Sequence, residues 1–523
     1  MDQPSFAPLT PTAFLARAAH VHSERTAVVD GDRRFSYSEL WTRARRLAGG
    51  LRSLGVQPGD RVAVLSPNSH LLLEAHFGVP LAGAVLVAMN LRLHPQELAE
   101  IVTHSGSGLL LYDSSLAECA VEVAKLTGGT LRLVESAASG DSGYESLLGS
   151  APEFAAPVDD ERSLLSINYT SGTTGRPKGV MYHHRGAYLQ ALAMAFHTGL
   201  QPGSVFLWTL PMFHCNGWCF PWAVTAAGGT HLCLRTLDAA VVWGHIEHDK
   251  VTHFNAAPTV LTMLSDHPAA RPAPNRLTIA TGGSPPSPTL LGKMAELNAR
   301  LIHLYGLTET FGPAVICEWQ PEWDLLPADE QHKRKARQGV GNVISGGLRV
   351  IDAGGYDVPA DGVTLGEVAI CGNNVMTGYF ADPEATAVAC PDGWFRTGDL
   401  GVLHPGGYLE LRDRTKDLIV SGGENVYTIE VEQAIASHPA VSEVAVIGVP
   451  DDRWGERPAA YVTLREGASA EPAEIIDHVR QRLAGFKAPA RVEFGPLPKT
   501  STGKIQKSVL RQAAWEGRER QIN

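Results

Sequence analysis

Residues 169–180 read "YTSGTTGRPKGV", with six consecutive Ser, Thr and Gly residues at 170–175 followed by Arg176, Pro177 and Lys178. A packed core has no use for such a run. The segment before it, "SLLSINYT" (163–170), has the apolar, β-branched character of a strand, and "AYLQALAMAFHTGL" beyond it has helical spacing. Strand, Gly-rich loop and helix make a phosphate-cradling plan. Glycines let backbone N–H groups approach an oxyanion, hydroxyls add donors, and Lys178 adds charge. The Walker pattern fails, because Gly172 is not followed four residues later by Gly-Lys-Ser/Thr. Read alone, the stretch is a phosphate loop of another kind or a flexible surface turn. Ser171 does not lie in a Gly-x-Ser-x-Gly nucleophile elbow.

Around this loop the chain alternates helix and strand patterns. "YSELWTRARRLAGGLRSLG" (37–55) reads as a helix closed by glycine, "DRVAVLSPN" and "GLLLYDSS" as buried strands, and "HLLLEAHFGVPLAGAVLVAMN" as helix, turn and strand. "HFNAAPTVLTMLSDH" and "RLTIATGGSPPSP" again place a strand before a loop and helix. Between 346 and 411 short strands and glycine turns dominate. Past 414–418 comes a compact unit with helix, two strands, helix and strand, long enough to fold alone. The expected fold class is α/β. A large multi-subdomain N-terminal domain (1–415) has layered α/β sheets plus a β-rich subdomain, and a small, mobile α+β C-terminal domain covers 416–523.

The 523 residues are 44% hydrophobic and 19% charged, enough for large cores and too apolar for global disorder. A net charge of −11 with no long basic stripe argues against nucleic acid as a partner. The densest basic run, "HKRKAR" (332–337), reads as a solvated loop, with a site for a phosphorylated ligand as the alternative. Seven scattered cysteines fit reduced thiols in a cytoplasmic protein. No apolar stretch suits a membrane span or a signal peptide, and the terminal "RERQIN" is no lipidation motif. His245, His248 and His253 read as structural or surface histidines rather than metal ligands, since no Cys or carboxylate cluster joins them. Lys499 and Lys507 read as solvated.

With "LPMFHCNGWCF" (210–220), "GGSPPSP" (282–288), "YGLTET" (305–310), "WFRTGDLG" (394–401), "LRDRTKDLIVSGGENVYTIEVE" (411–432) and "PLPKTSTGKIQK" (496–507) following in order, the chain resembles the adenylate-forming (AMP-binding) superfamily over essentially its full length. Within it, the likeness is to fatty-acyl and medium-chain acyl-CoA synthetases. The resemblance implies ATP, Mg²⁺ and CoA as cofactors and co-substrates. It assigns the ATP phosphates to Thr170, Ser171, Gly172, Thr173, Thr174 and Lys178, and the nucleotide further to Gly283, Ser284, Pro285, Tyr305, Gly306 and Thr308. Tyr305 would stack on the purine and Thr308 would donate to the α-phosphate. Asp399 and Arg414 would hold the ribose. Glu309 is a hard oxygen ligand suited to Mg²⁺. Lys504 would bridge substrate carboxylate and α-phosphate during adenylation. Lys416 would be the hinge pivot, and Gly422, Gly423 and Glu424 would approach the nucleotide or the CoA thiol tunnel in a second pose. Catalysis would thus fall to Lys504, Thr170, Glu309 and His214.

The same resemblance puts His214, Trp218 and Gly282 at the acyl pocket and its gate, although a buried aromatic helix would also explain Trp218. No acidic residue is placed for a substrate ammonium, so the expected substrate is an apolar monocarboxylic acid, medium-chain or aryl. Two other functions share the motifs. One is adenylation with transfer to a carrier-protein thiol, an amine or a small nitrogen nucleophile. The other is a non-catalytic nucleotide-binding regulator, against which the intact Lys178, Glu309, Asp399, Arg414 and Lys504 speak. The sequence is silent on oligomeric state; the resemblance allows a homodimer.

Overall fold

The computed structural model describes residues 5–137, 140–170, 177–283, 286–499 and 505–516. Its N-terminal part is built on two large sheets. One has six strands in the order Arg132–Ser136, Leu109–Asp113, Arg61–Leu65, Val85–Ala88, Leu164–Thr170 and Lys178–His183, parallel except for the last pair. The other has nine, with Ala299–Leu307, Leu277–Thr281, His253–Ala256 and Val205–Leu207 as a parallel run at its centre. The largest apolar cluster draws on both sheets, with Val62, Val64 and Leu86 from one and Val28, Phe206 and Leu304 from the other, together with the helices between them. The helix His70–Leu81 is buried at every residue; it is mostly apolar, and Glu74 and His76 are buried with partners, Glu74 with Arg43 and Tyr144 and His76 with the Leu72 carbonyl. The β-rich segment forms a four-stranded antiparallel sheet of Ser345–Ile351, Gly366–Gly372, Phe395–Leu403 and Leu409–Arg414.

The C-terminal unit is a separate five-stranded sheet with helices Thr428–Ala436 and Pro472–Arg480 packed on it. Residues 415–418 connect Leu409–Arg414 to Ile419–Ser421, the first strand of that sheet. Buried Asp413 holds the junction, accepting from the Thr428 N–H and, at 3.0 Å, from the Thr428 hydroxyl. Asp266 of the N-terminal part pairs with both Lys293 and Arg465, the latter from the C-terminal unit.

Four expectations change. The Gly-rich loop does not lead into a helix. Lys178–His183 is a strand that turns back antiparallel on Leu164–Thr170, and helix His184–Thr198 begins only after it. Val180 and Tyr182 are fully buried there, and the strand's free edge is taken by residues 377–380. The basic run is no loop: it closes the helix Ala328–Ala336, where cations suit the C-terminal dipole. Arg334 and Lys335 stack on Trp323 and Trp319, each 4.8 Å from the ring centroid. Lys507 is half-buried and paired with Glu432 at 2.7 Å, so it is not solvated, whereas Lys499 stays exposed, with a surface pair to Glu443 at 2.7 Å. The segment 215–219 is not an aromatic helix of normal hand, as described below.

The cysteines and histidines have these settings. All seven cysteines are free thiols. His245 pairs with Asp249, and buried His253 bonds Thr252 and the Thr198 carbonyl. Among the described residues no group of three candidate ligands could hold a metal, and no helix is long and apolar enough to cross a membrane.

A buried ionic clamp joins the two large sheets. Arg235 bonds Asp30 of one (3.1 Å) and Asp113 of the other (2.9 Å), and Asp30 also accepts from His70 at 2.7 Å. Burial pushes the Asp30 carboxyl up, but the His70 hydrogen bond and the Arg235 charge outweigh it and hold it at about 2. Its contribution to stability is therefore complete above the unfolded-state pKa of about 4 and is lost as pH falls toward 2, a change on the order of 2 kcal/mol. Urea unfolding at pH 6 and at pH 2.5 checks this. Asp30→Asn should be less stable at pH 6 and should lose markedly less than wild type on acidification; equal losses would contradict the clamp.

Candidate active site

Several strand ends and turns converge on one region. The hairpin Leu164–Thr170/Lys178–His183 sets Thr170 opposite Lys178 at the neck of the Gly-rich loop. Ser171, Gly172, Thr173 and Thr174 lie outside the described residues, as do Ser284, Pro285 and Lys504. Leu277–Thr281 ends at Gly282 and Gly283. Ala299–Leu307 carries Tyr305 and Gly306 at its end and runs into the short 3-10 turn Thr308–Thr310.

Asp399 is cross-strand from Arg414 in the β-rich sheet. It is nearly fully buried, with Arg414 Nε 3.2 Å from one carboxylate oxygen and the Tyr305 hydroxyl donating to the other at 2.7 Å. Tyr305 was expected only as a stacking ring, yet its phenol fixes this carboxylate. Burial and the nearby Asp399 charge push the phenol's pKa up, so it remains a donor.

Glu309 is half-buried and densely surrounded. Burial pushes its carboxyl up, outweighing its own backbone N–H, the Tyr379 hydroxyl and the Lys178 charge. Tyr379 donates to Glu309 Oε1 at 2.9 Å. Its ring also receives the Lys178 ammonium, 4.7 Å from the centroid. An under-compensated carboxylate beside the Lys178 ammonium suits a hard divalent cation, which takes carboxylate oxygens.

Thr308 is held from two sides. Tyr182 donates to its carbonyl at 2.6 Å, and Cys215 Sγ lies 3.2 Å from its hydroxyl. Burial pushes the Cys215 thiol up to about 12, so it is no thiolate nucleophile.

Cys215 opens an unusual turn. Cys215, Asn216, Gly217, Trp218 and Cys219 have φ of 50, 47, 57, 57 and 64°, a complete left-handed turn. Each non-glycine residue there costs about 1–2 kcal/mol. Fully buried Asn216 offsets much of this. Its Oδ1 accepts from Ser166 Oγ (2.8 Å) and Asn168 Nδ2 (2.7 Å), its Nδ2 donates to His76 Nε2 (3.1 Å), and its N–H donates to Asn168 Oδ1 (3.2 Å). His76 can accept because burial lowers its pKa to about 4 and its Nδ1–H is spent on the Leu72 carbonyl at 2.7 Å. The turn swings Trp218 over two glycines. A Cβ on Gly312 would lie 3.0 Å from its Cδ1, and one on Gly282 3.5 Å from its Cη2. His214 immediately precedes the turn.

Lys416 lies in the connection, its pKa lowered by burial and by Arg414. Gly422 and Gly423 form the two-residue turn of the hairpin Ile419–Ser421/Glu424–Val426, with φ of 61 and 87°. That hairpin, with Glu424 at the start of its second strand, belongs to the C-terminal sheet. Sequence reasoning missed Tyr379, Tyr182 and Asn216. Only Asn216 carried a usable signal, the Asn-Gly pair that favours positive φ.

The layered α/β body thus carries a hairpin loop and a carboxylate–arginine pair, and is followed by a small unit with its own sheet. Family models define the class. One described as AMP-binding enzyme matches residues 15–380, and one described as AMP-binding enzyme C-terminal domain matches 430–504. The chain belongs to the AMP-binding enzyme family. It is 42% identical to the peroxisomal acetate/butyrate–CoA ligase AAE7 of Arabidopsis thaliana, over 98% of this chain and 95% of that one. It is 43% identical to 4-hydroxybutyrate–CoA ligase 2 of Metallosphaera sedula, over 97% and 94%. ATP-bound MatB from Rhodopseudomonas palustris superposes with a TM-score of 0.84 at 29% identity, covering 96% of this chain and 98% of that one.

The left-handed turn yields a stability test. Asn216→Gly keeps the backbone conformation but loses the amide network, whereas Asn216→Ala loses both. Denaturant unfolding should show Ala about 1 kcal/mol worse than Gly, and both below wild type by about 2 kcal/mol or more. Equal losses would show that the turn stores no strain at this residue.

Proposed function

We propose that this AMP-forming acyl-CoA ligase takes a small, apolar monocarboxylic acid. The enzyme uses ATP to activate the acid as its adenylate and passes the acyl group to CoA. The observation that carries the choice of acid is the Trp218 indole lying across Gly282 and Gly312. A bulky apolar wall beside bare glycine backbone favours a short acyl chain and offers nothing to a charged one. The acids named for the two relatives, acetate, butyrate and 4-hydroxybutyrate, support the same size.

A thiol cannot usefully displace oxide from a carboxylate; AMP is the better leaving group. In the first half-reaction a carboxylate oxygen attacks the α-phosphorus and pyrophosphate departs. We assign the 170–178 loop to the β- and γ-phosphates, with Thr170 and Lys178 at its neck, and Thr308 to the α-phosphate. Asp399 accepts the ribose hydroxyls, and its bonds from Tyr305 and Arg414 keep it aimed. We assign Gly283, Ser284, Pro285 and Gly306 to the nucleotide, and His214 to the acyl pocket and its gate. Glu309 would hold Mg²⁺, which supplies charge neutralisation of the phosphates. Lys504 meets the charge that builds between carboxylate and α-phosphate. In the second half-reaction the C-terminal unit, taken from residue 416 onward, turns about Lys416. It withdraws Lys504 and brings Gly422, Gly423 and Glu424 toward the thiol path. Seven free thiols favour a reducing compartment, for which we take the cytoplasm, although AAE7 is named as peroxisomal. A homodimer is an assembly that the resemblance allows.

Pyrophosphate release across a panel of carboxylic acids, with and without CoA, tests the reading. Short apolar acids should lead, with acyl-CoA formed only when CoA is present. A preference for long-chain or amino acids would reject the pocket assignment, and no thioester formed in the presence of CoA would reject the acceptor. Lys504→Ala should abolish adenylate formation, by about a thousandfold or more, yet spare thioester formation from supplied acyl-adenylate; equal loss of both would contradict its role.

A further inference from the structure

Tyr379 belongs to no motif singled out in the sequence, yet it touches both charged side chains assigned to the phosphate and cation sites. Its segment reaches the site from the β-rich part as an added strand. Thr377 N–H donates to Met181 O (3.0 Å), Met181 N–H to Gly378 O (3.0 Å), and Phe380 N–H to Gly179 O (2.7 Å), so residues 377–380 run along the free edge of Lys178–His183. Met376 N–H donates to Glu309 O at 2.8 Å, which ties the same segment to the Thr308–Thr310 turn. Tyr379 is thereby wedged between Lys178 and Glu309, 8% exposed. One end of the side chain binds each neighbour. The hydroxyl donates to Glu309 Oε1 at 2.9 Å, and the ring face takes the Lys178 ammonium at 4.7 Å.

A lysine and a glutamate this close to a common neighbour would otherwise tend to form a direct ion pair. Such a pair would occupy the ammonium that phosphates need and the oxygens that a cation needs. The phenol prevents it with two weaker, separate contacts. One hydrogen bond fixes a single carboxylate oxygen, Oε1, and leaves the carboxylate its charge. The ring holds the ammonium without neutralising it, since the attraction comes from a quadrupole rather than a charge. We infer that Tyr379 is a positioning residue that keeps Lys178 and Glu309 apart, aiming the first at the ATP phosphates and the second at the divalent cation. The inference rests on the proposed roles of those two residues.

Two variants separate the two contacts. Tyr379→Phe removes the hydroxyl and keeps the ring; Tyr379→Leu removes both. Two binding measurements need no acid and no turnover: Mn²⁺ binding to the protein–ATP complex by electron paramagnetic resonance, and ATP binding in EDTA by calorimetry. Tyr379→Phe should weaken Mn²⁺ about tenfold, the expected size for loss of one hydrogen bond to a charged group. It should leave metal-free ATP binding within about twofold of wild type. Tyr379→Leu should weaken Mn²⁺ comparably and also weaken metal-free ATP by roughly two- to fivefold, the size of a partly exposed cation–π contact. Thermal melting of the free proteins shows whether both variants are folded, and the conservative Phe variant keeps the test available if Leu is not. Wild-type Mn²⁺ affinity in Tyr379→Phe, or equal losses of metal-free ATP binding in both variants, would overturn the inference alone. Wild-type protein that binds neither ATP nor Mn²⁺ would overturn it together with the functional reading beneath it.

Discussion

A carboxylate partly removed from water at the end of a strand must be compensated, and Glu309 is compensated only in part. Desolvation disfavours its charge, while one phenolic hydrogen bond and a nearby ammonium recover some of the loss. In the proposed reading, Mg²⁺ would meet the remaining demand for positive charge. The architecture around it serves to keep that demand unmet by the protein itself. Tyr379 stands where a direct Lys178 pair would form. The tight turn at Thr308–Thr310 keeps Glu309 at the end of the strand, and a separate segment from the β-rich part closes over both.

The same logic explains why the site gathers pieces of three sheets. The six-stranded sheet supplies the Thr170–Lys178 hairpin, the nine-stranded sheet supplies Tyr305 through Thr310, and the antiparallel sheet supplies Asp399 and Arg414. Such an assembly holds its geometry only if the sheets are fixed to one another. Arg235 does this with ionic bonds, and the shared apolar core between the sheets does it with packing. The left-handed turn at 215–219 is set against that rigid frame. Asn216 is bonded to Ser166 and Asn168, which belong to the same strand that ends at Thr170. The wall of the proposed acyl pocket is thus tied to the neck of the proposed phosphate loop.

Much of this was legible in the sequence, and the gaps have physical causes. Strand and helix order followed from periodicity, and Asp399 with Arg414 followed from two adjacent motifs that meet across one antiparallel pair. The helix expected beyond the Gly-rich loop is present, but the strand before it was missed because "KGVMYH" borrows an edge partner from residues 377–380, far along the chain. Tyr379 escaped notice for the same reason, since its meaning depends on two side chains distant in sequence. The basic run at 332–337 gave no hint of the Trp319 and Trp323 faces that receive it. Lys507 was indistinguishable from a surface lysine until the fold set it beside Glu432. Local pattern reveals elements and glycine-bearing turns; contacts between remote segments need the fold.

The central claim is that the acid attacks the α-phosphorus and leaves as a mixed anhydride with AMP. Isotope transfer tests it without reference to any mutant. With an acid carrying ¹⁸O in both carboxylate positions, ATP, Mg²⁺ and CoA, the account predicts that one labelled oxygen appears in AMP for each acyl-CoA formed. Label found instead in inorganic phosphate with ADP as the nucleotide product, or retained wholly in the thioester and free acid, would contradict it.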